Sequence, residues 1–126
     1  MSLADGEILI VEDESDSMEV VQGILDYHGI RSVGASTAKE ALRLMEEMTP
    51  SLLIIDLALP DMDGWRLLET LRDRYDLSSI KCVAMTAYHN SALPTQAINA
   101  GFDAYFAKPV DAAVFVDELQ RLVDAG

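Results

Sequence analysis

The chain has 126 residues, of which 50% are hydrophobic and 25% are charged, proportions typical of one globular domain. Its 22 acidic residues against nine basic ones give a formal net charge of -13, which disfavours direct binding to nucleic acid or to anionic lipid. A single cysteine, Cys82, excludes an internal disulfide, and the lack of a signal segment or a membrane-length apolar run predicts a cytoplasmic protein with no membrane insertion.

Five short apolar runs, rich in β-branched residues, are predicted to be strands. They cover residues 7–11, 30–34, 52–55, 80–85 and 104–106. Each run is followed by a stretch with apolar residues at helical spacing, over residues 21–28, 38–45, 65–75, 91–100 and 111–124. Thr37 and Glu40 have the spacing of a capping box at the start of the second stretch, and Pro94 should either lie in the first turn of the fourth or kink it. This alternation predicts an α/β fold, a doubly wound (βα)5 domain with a parallel sheet and helices on both faces.

Polar side chains stand where the predicted strands end. Glu12 and Asp13 follow the first strand, Asp56 follows the third, Thr86 follows the fourth, and the fifth runs into Lys108. Because the ligand site of an open parallel sheet lies beyond the carboxyl ends of its strands, these side chains should converge.

Three carboxylates brought together repel one another unless a cation joins them. An all-oxygen site with few protein ligands suits Mg²⁺, for which Mn²⁺ is expected to substitute. With Lys108 as a positive charge and Thr86 as a hydroxyl donor, the set matches the needs of phosphoryl transfer, and Asp56 is the best candidate nucleophile. Taken alone, Asp56 is equally compatible with capping a turn.

Four motifs, ILIVEDE (8–14), LLIIDLALPDMDG (52–64), VAMTA (83–87) and YFAKP (105–109), resemble in their order the receiver domain of two-component response regulators. The resemblance covers essentially the whole chain. It implies the flavodoxin-like strand order 2-1-3-4-5 and a single stand-alone receiver domain over residues 1–126. Residues 1–5 are expected to be disordered or partly a remnant of an expression tag.

The resemblance also implies roles for single residues. Asp56 accepts a phosphoryl group from a phosphohistidine on a sensor histidine kinase or a histidine phosphotransfer protein. Asp13, Asp56 and the backbone carbonyl of Ala58 ligate the metal directly, and Glu12 acts largely through water. Such a protein carries a signal in a two-component system or phosphorelay and is not an enzyme in the usual sense.

Three further expectations follow from the resemblance. Thr86 and Lys108 bind the phosphoryl oxygens, and the bond from Lys108 to Pro109 is cis. Tyr105 is the switch aromatic, which turns inward when Thr86 moves toward the phosphoryl group. The signal passes to a downstream protein target, with the chain as a monomer or a phosphorylation-dependent dimer.

Two alternatives from other classes are a phosphorylation-independent interaction module and a phosphatase that turns over phosphate esters through Asp56. The second is weakened because Ala58 stands where such hydrolases place another acid. Outside the candidate site, Trp65 and Cys82 are predicted to pack in the core, and the DMDG loop (61–64) to form a turn. His28 is predicted on the inward face of the first helix and His89 in a solvated loop.

Overall fold

The computed structural model describes residues 3–125. Its strands are β1 (Glu7–Val11), β2 (Arg31–Ala35), β3 (Leu52–Asp56), β4 (Lys81–Thr86) and β5 (Ala104–Ala107). Its α-helices are α1 (Ser15–Tyr27), α2 (Ala38–Met45), α3 (Gly64–Arg74), α4 (Leu93–Ala100) and α5 (Phe115–Ala125).

The strands form one parallel sheet in the order β2-β1-β3-β4-β5, which confirms the predicted fold class and strand order. The central strand β3 is buried at every position, because other strands flank both of its edges and helices cover both of its faces. The first four residues of β3 are therefore all apolar, instead of alternating between apolar and polar.

Two hydrophobic clusters lie on opposite faces of the sheet. Leu53 and Ile55 of β3 pack in the cluster covered by α2 and α3, whereas Leu52 and Ile54 pack in the cluster covered by α1 and α5. The alternation follows from the two-residue period of a strand. Each of these fully buried side chains contributes about 2 kcal/mol of hydrophobic stabilisation, so β3 is a rigid support for the residue that ends it.

The expectation that residues 1–5 are disordered is wrong for residues 3–5. Residues 3–5 form a short 3-10 helix, and Leu3 is 1% exposed within the α1 and α5 cluster. The backbone N–H of Leu3 donates to Oε1 of Gln120, at 3.1 Å. Burial of an apolar side chain and one long-range hydrogen bond therefore hold this segment, while residues 1 and 2 lie outside the described part of the chain.

Two helices begin later than their sequence patterns predict. The last one begins at Phe115, because residues 111–114 form a turn in which the Asp111 carboxylate accepts from the backbone N–H of Ala113, at 3.0 Å. The fourth begins at Leu93, with Pro94 in its first turn as predicted. Asn90 Oδ1 accepts the backbone N–H of Leu93, at 3.1 Å, and this hydrogen bond fixes the loop just before the helix begins.

The prediction for His28 is wrong. Helix α1 ends at Tyr27, and His28 follows it as an exposed residue, not as part of the inward face. Its ring Nδ1 pairs with the backbone carbonyl of Ile24, at 2.9 Å.

Among residues 3–125, no helix has the length and apolarity that crossing a membrane requires.

Candidate functional site

The carboxyl edge of the sheet brings together the polar residues that end its strands. Oxygens from Glu12, Asp13 and Asp56 all lie within 4.8 Å of one another. Glu12 and Asp56 are 1% and 2% exposed, whereas Asp13 is exposed. The cluster therefore has a buried floor and an open mouth, and its oxygen donors fit a hard divalent cation that keeps part of its water shell.

Lys108 reaches into the acidic cluster. Its Nζ donates to Glu12 Oε1 at 2.6 Å, to Asp56 Oδ2 at 2.8 Å and to Glu14 Oε1 at 3.1 Å. The peptide bond between Lys108 and Pro109 is cis, as the motif implied. Burial alone would lower the pKa of Lys108, but its hydrogen bonds to Asp56, Glu12 and Glu14 hold that pKa above its ordinary value. Its ammonium therefore stays charged, and it offsets part of the repulsion between the carboxylates.

The two buried carboxylates share one environment but differ in proton affinity. Burial, together with a hydrogen bond to Glu12, raises the pKa of Asp56 to about 6. Burial also pushes the pKa of Glu12 upward, but hydrogen bonds with Asp56 and Lys108 hold it below its ordinary value. Asp56 is thus the member of the pair that takes up a proton first, and at neutral pH it is mostly an anion.

The loop after β3 fixes the Asp56 carboxylate from its other side. The backbone N–H of Ala58 donates to Asp56 Oδ1 at 2.9 Å, so both carboxylate oxygens have partners. The loop returns tightly to α3: a Cβ on Gly64 would lie 2.6 Å from the backbone oxygen of Asp56 and 2.8 Å from Cα of Leu57. A residue without a side chain is therefore required where α3 begins.

Thr86 ends β4 beside this cluster and is 2% exposed. Its Oγ1 accepts the backbone N–H of Tyr88 at 3.1 Å, and its backbone carbonyl accepts the N–H of Lys108 at 2.8 Å. Its hydroxyl hydrogen remains available for another acceptor. Thr86 is thus joined both to its own loop and to the segment that carries the lysine.

Tyr105 lies in β5, with its ring half-buried against the α2 and α3 cluster. Its hydroxyl pairs with Nδ1 of His89 at 2.7 Å, and the ring centroids are 5.7 Å apart. His89 is exposed as predicted, but the sequence analysis missed this contact. No local pattern reveals it, because the two residues are 16 positions apart and meet only through the pairing of β4 with β5.

Two acids near the site have structural roles that the sequence analysis missed. Glu14 was not singled out as a partner of Lys108, although it belongs to the same acidic run as Glu12. Asp61 accepts the backbone N–H groups of Ala38 and Lys39, each at 3.0 Å, and so clamps the start of α2 to the loop after β3. The DMDG segment is a bend that leads directly into α3: Asp63 caps this helix by accepting the backbone N–H of Arg66, and Gly64 is its first residue.

The remaining predicted packing residues lie away from the cluster. Cys82 is buried in β4, and burial raises the pKa of its thiol to about 12, which makes it unreactive at neutral pH. Trp65 packs edge-to-face on Phe102 with ring centroids 5.8 Å apart. Both observations agree with the predicted structural roles.

Known proteins are similar to this chain in sequence and in fold. The sequence profile of the response regulator receiver domain matches residues 8–120. A polar-differentiation response regulator, DivK of Brucella ovis, is 26% identical over 113 residues, covering 90% of this chain and 92% of DivK. An uncharacterised 14.6 kDa protein of Leptolyngbya boryana is 37% identical over 97% of this chain and 90% of its own length. A solved CheY-like receiver domain from Methanospirillum hungatei JF-1 superposes with a TM-score of 0.84 at 31% identity, covering 94% of each chain. The chain belongs to the family of response regulator receiver domains.

Proposed function

We propose that this receiver accepts a phosphoryl group on Asp56 from a phosphohistidine of a sensor histidine kinase or a histidine phosphotransfer protein. The observation that carries the proposal is the setting of Asp56: a buried carboxylate at the end of a rigid central strand, 2.8 Å from the ammonium of Lys108. It stands beside two further acids that supply oxygen donors to a cation.

Glu12, Asp13 and Asp56, with the backbone carbonyl of Ala58, would hold Mg²⁺ or Mn²⁺. The clustering of the three carboxylates supports this role. A bound divalent ion neutralises negative charge on the phosphoryl oxygens. The protein in turn supplies a donor set that is in place before the reaction begins.

In the transfer step, one carboxylate oxygen of Asp56 forms a bond to phosphorus as the phosphorus–nitrogen bond of the donor breaks. The bonding electrons return to the imidazole nitrogen, and the free histidine then takes a proton from water. Lys108 donates to the phosphoryl oxygens and relaxes its contact with Asp56. The hydroxyl of Thr86 donates to the same group, so the loop after β4 moves inward.

Phosphorylation replaces about one negative charge by nearly two and adds three acceptor oxygens. The movement of Thr86 opens space on its far side, into which Tyr105 turns. A local change of charge thereby alters the surface formed by α4, β5 and α5, which a downstream protein would recognise.

Helix α1 offers a surface for the phosphodonor. Val20 is 52% exposed, Tyr27 is 87% exposed, and with Ile24 they form an apolar stripe that we call the α1 face. Asp16 and Glu19 lie beside it in the same grooves. Val20 lines one groove with Glu14 and Lys108, so the part of this face around Val20 adjoins the acidic cluster. The face suits a donor helix with apolar residues and basic neighbours.

We further propose that this receiver acts in the cytoplasm and passes the signal by protein contact. The similarity to a response regulator over 90% of this chain supports this role. The role needs no turnover of a substrate, because the phosphoryl group is itself the signal.

The proposal is tested by incubating the protein with acetyl phosphate and Mg²⁺ and measuring its mass by intact-protein mass spectrometry. We expect the wild type to gain one phosphoryl group, and Asp56→Asn to gain none, because an amide cannot attack phosphorus. Removal of Mg²⁺ with EDTA should abolish labelling.

Asp63→Asn is the matched control, because Asn caps a helix as well as Asp does and Asp63 lies outside the cluster. It should be labelled like the wild type. Labelling of Asp56→Asn, or no labelling of the wild type, would overturn the proposal; the second result would favour a phosphorylation-independent interaction module.

A further inference from the structure

The pair formed by His89 and Tyr105 is fixed in two ways. The ring Nδ1 of His89 lies 2.7 Å from the Tyr105 hydroxyl, and the two rings are tilted by 34° with centroids 5.7 Å apart. The hydrogen bond fixes the end of the tyrosine, and the ring contact fixes its plane. Because His89 is exposed, this contact holds the Tyr105 hydroxyl at the surface.

The loop that carries His89 is anchored on both sides of the histidine. On one side the backbone N–H of Tyr88 donates to Oγ1 of Thr86, at 3.1 Å. On the other side Asn90 Oδ1 accepts the backbone N–H groups of Ala92, which precedes α4, and of Leu93, which begins it. His89 is thus one link in a short chain of contacts between Thr86 and Tyr105, and a displacement of Thr86 changes the position of His89.

From this arrangement we propose that His89 is a positioning residue that holds Tyr105 in its surface position and so opposes the conformational change which follows phosphorylation. The inference rests on the proposed function and adds a specific restraint to it. When Thr86 turns to the phosphoryl group, the loop moves and the bond from His89 to Tyr105 must break. The stability of that bond is then part of the cost of reaching the phosphorylated conformation.

One hydrogen bond of this kind shifts an equilibrium by about three- to ten-fold. Beryllofluoride with Mg²⁺ occupies the phosphoryl position without covalent chemistry, so its binding measures the equilibrium directly. We expect His89→Ala to bind beryllofluoride about three- to ten-fold more tightly than the wild type in calorimetric titration.

Further variants separate the restraint from a general structural role. His89→Asn keeps an amide group near the position of Nδ1 and should restore affinity toward the wild-type value. Tyr105→Phe should bind more tightly, as His89→Ala does, and the double variant should gain no more than either single one. His28→Ala, which removes another exposed imidazole far from Tyr105, should bind like the wild type.

The contact itself is checked without any phosphoryl mimic. The ¹⁵N signal of His89 Nδ1 in the free protein should shift in Tyr105→Phe, while that of His28 should not. Wild-type affinity in His89→Ala, additive gains in the double variant, or an unchanged Nδ1 signal would each overturn the inference. If the wild type binds no beryllofluoride and takes no label from acetyl phosphate, the proposed function fails instead, and the Nδ1 signal alone decides whether His89 holds Tyr105.

Discussion

At the scale of single residues, the electrostatics of the site depend on two buried carboxylates and the one ammonium that contacts both of them. Lys108 contacts Glu12 and Asp56 at 2.6 and 2.8 Å, and it satisfies groups that would be costly to bury alone. Among residues 3–125, no buried side-chain nitrogen or oxygen lacks a hydrogen-bond partner. Burial, together with a hydrogen bond to Glu12, nevertheless keeps the pKa of Asp56 raised, because the contact with Lys108 offsets only part of this effect.

The raised pKa of Asp56 makes the stability of the fold depend on pH in a defined direction. The pKa of Asp56 is about 6 in the folded protein against an ordinary value of 3.8, so between these values the folded state binds more protons than the unfolded state. The Asp56 contribution therefore destabilises the fold increasingly as pH rises from about 4 to about 6, and it is constant above that. Asp56→Asn removes this contribution. In metal-free buffer, its free energy of unfolding relative to the wild type should rise by about 2 kcal/mol between pH 4 and pH 7.5.

Urea unfolding at a series of pH values measures this difference. Asp63→Asn serves again as the control, since it replaces an aspartate outside the cluster, and the rise expected for Asp56→Asn should not appear in it. A difference for Asp56→Asn that falls as pH rises would contradict the electrostatic account of the site. Adding Mg²⁺ should stabilise the wild type more than Asp56→Asn, because the variant lacks one of the three clustered carboxylates.

At the scale of elements, the loop from β3 to α3 positions the Asp56 carboxylate, and its shape depends on one glycine. A Cβ on Gly64 would meet backbone atoms of Asp56 and Leu57 at 2.6 and 2.8 Å, distances that require the loop to move. Gly23 is the matched control. It lies in the middle of α1 on the exposed side of the helix, and a Cβ there would meet no atom within 4 Å.

Gly64→Ala should therefore destabilise the protein by about 1–3 kcal/mol and slow labelling by acetyl phosphate, because the loop that orients Asp56 is displaced. Gly23→Ala should instead stabilise the protein by up to about 1 kcal/mol, since alanine loses less backbone entropy than glycine in a helix. Thermal unfolding and the labelling rate check both variants. Equal behaviour of the two would show that the close approach at Gly64 does not constrain the loop.

Comparison of the elements with the sequence shows what local patterns can predict. The runs LLII and ILIV predict buried strands because short, continuous apolar runs rich in β-branched residues suit the interior of a parallel sheet. The strand ends then predict where the acids converge. Contacts that depend on tertiary geometry were beyond such patterns: His89 on Tyr105, Asp61 on the start of α2, and the burial of Leu3.

At the scale of the whole molecule, the net charge of -13 and the position of the site shape how a partner approaches. The protein repels other acidic surfaces, so a phosphodonor with basic residues around its phosphohistidine is favoured in the encounter. In the proposed docking, the α1 face supplies apolar contact, and its Val20 end lies closest to Lys108 and Glu14. The α4 and β5 surface that carries Tyr105 is a different one, which leaves it free for a downstream target.

Separate surfaces predict separable effects of substitution. Val20→Ala and Tyr27→Ala should each slow transfer from a phosphorylated kinase or phosphotransfer protein that phosphorylates the wild type, with Tyr27→Ala costing about ten-fold or more as a large, exposed aromatic anchor. Labelling by acetyl phosphate should be unchanged in both, because a small donor needs no docking surface. Ile98→Ala is the matched control, since Ile98 is 54% exposed on α4, and it should leave both reactions at the wild-type rate. Slower transfer in Ile98→Ala but not in Tyr27→Ala would place the phosphodonor on the α4 surface, in contact with the residues that we assign to the output of the signal.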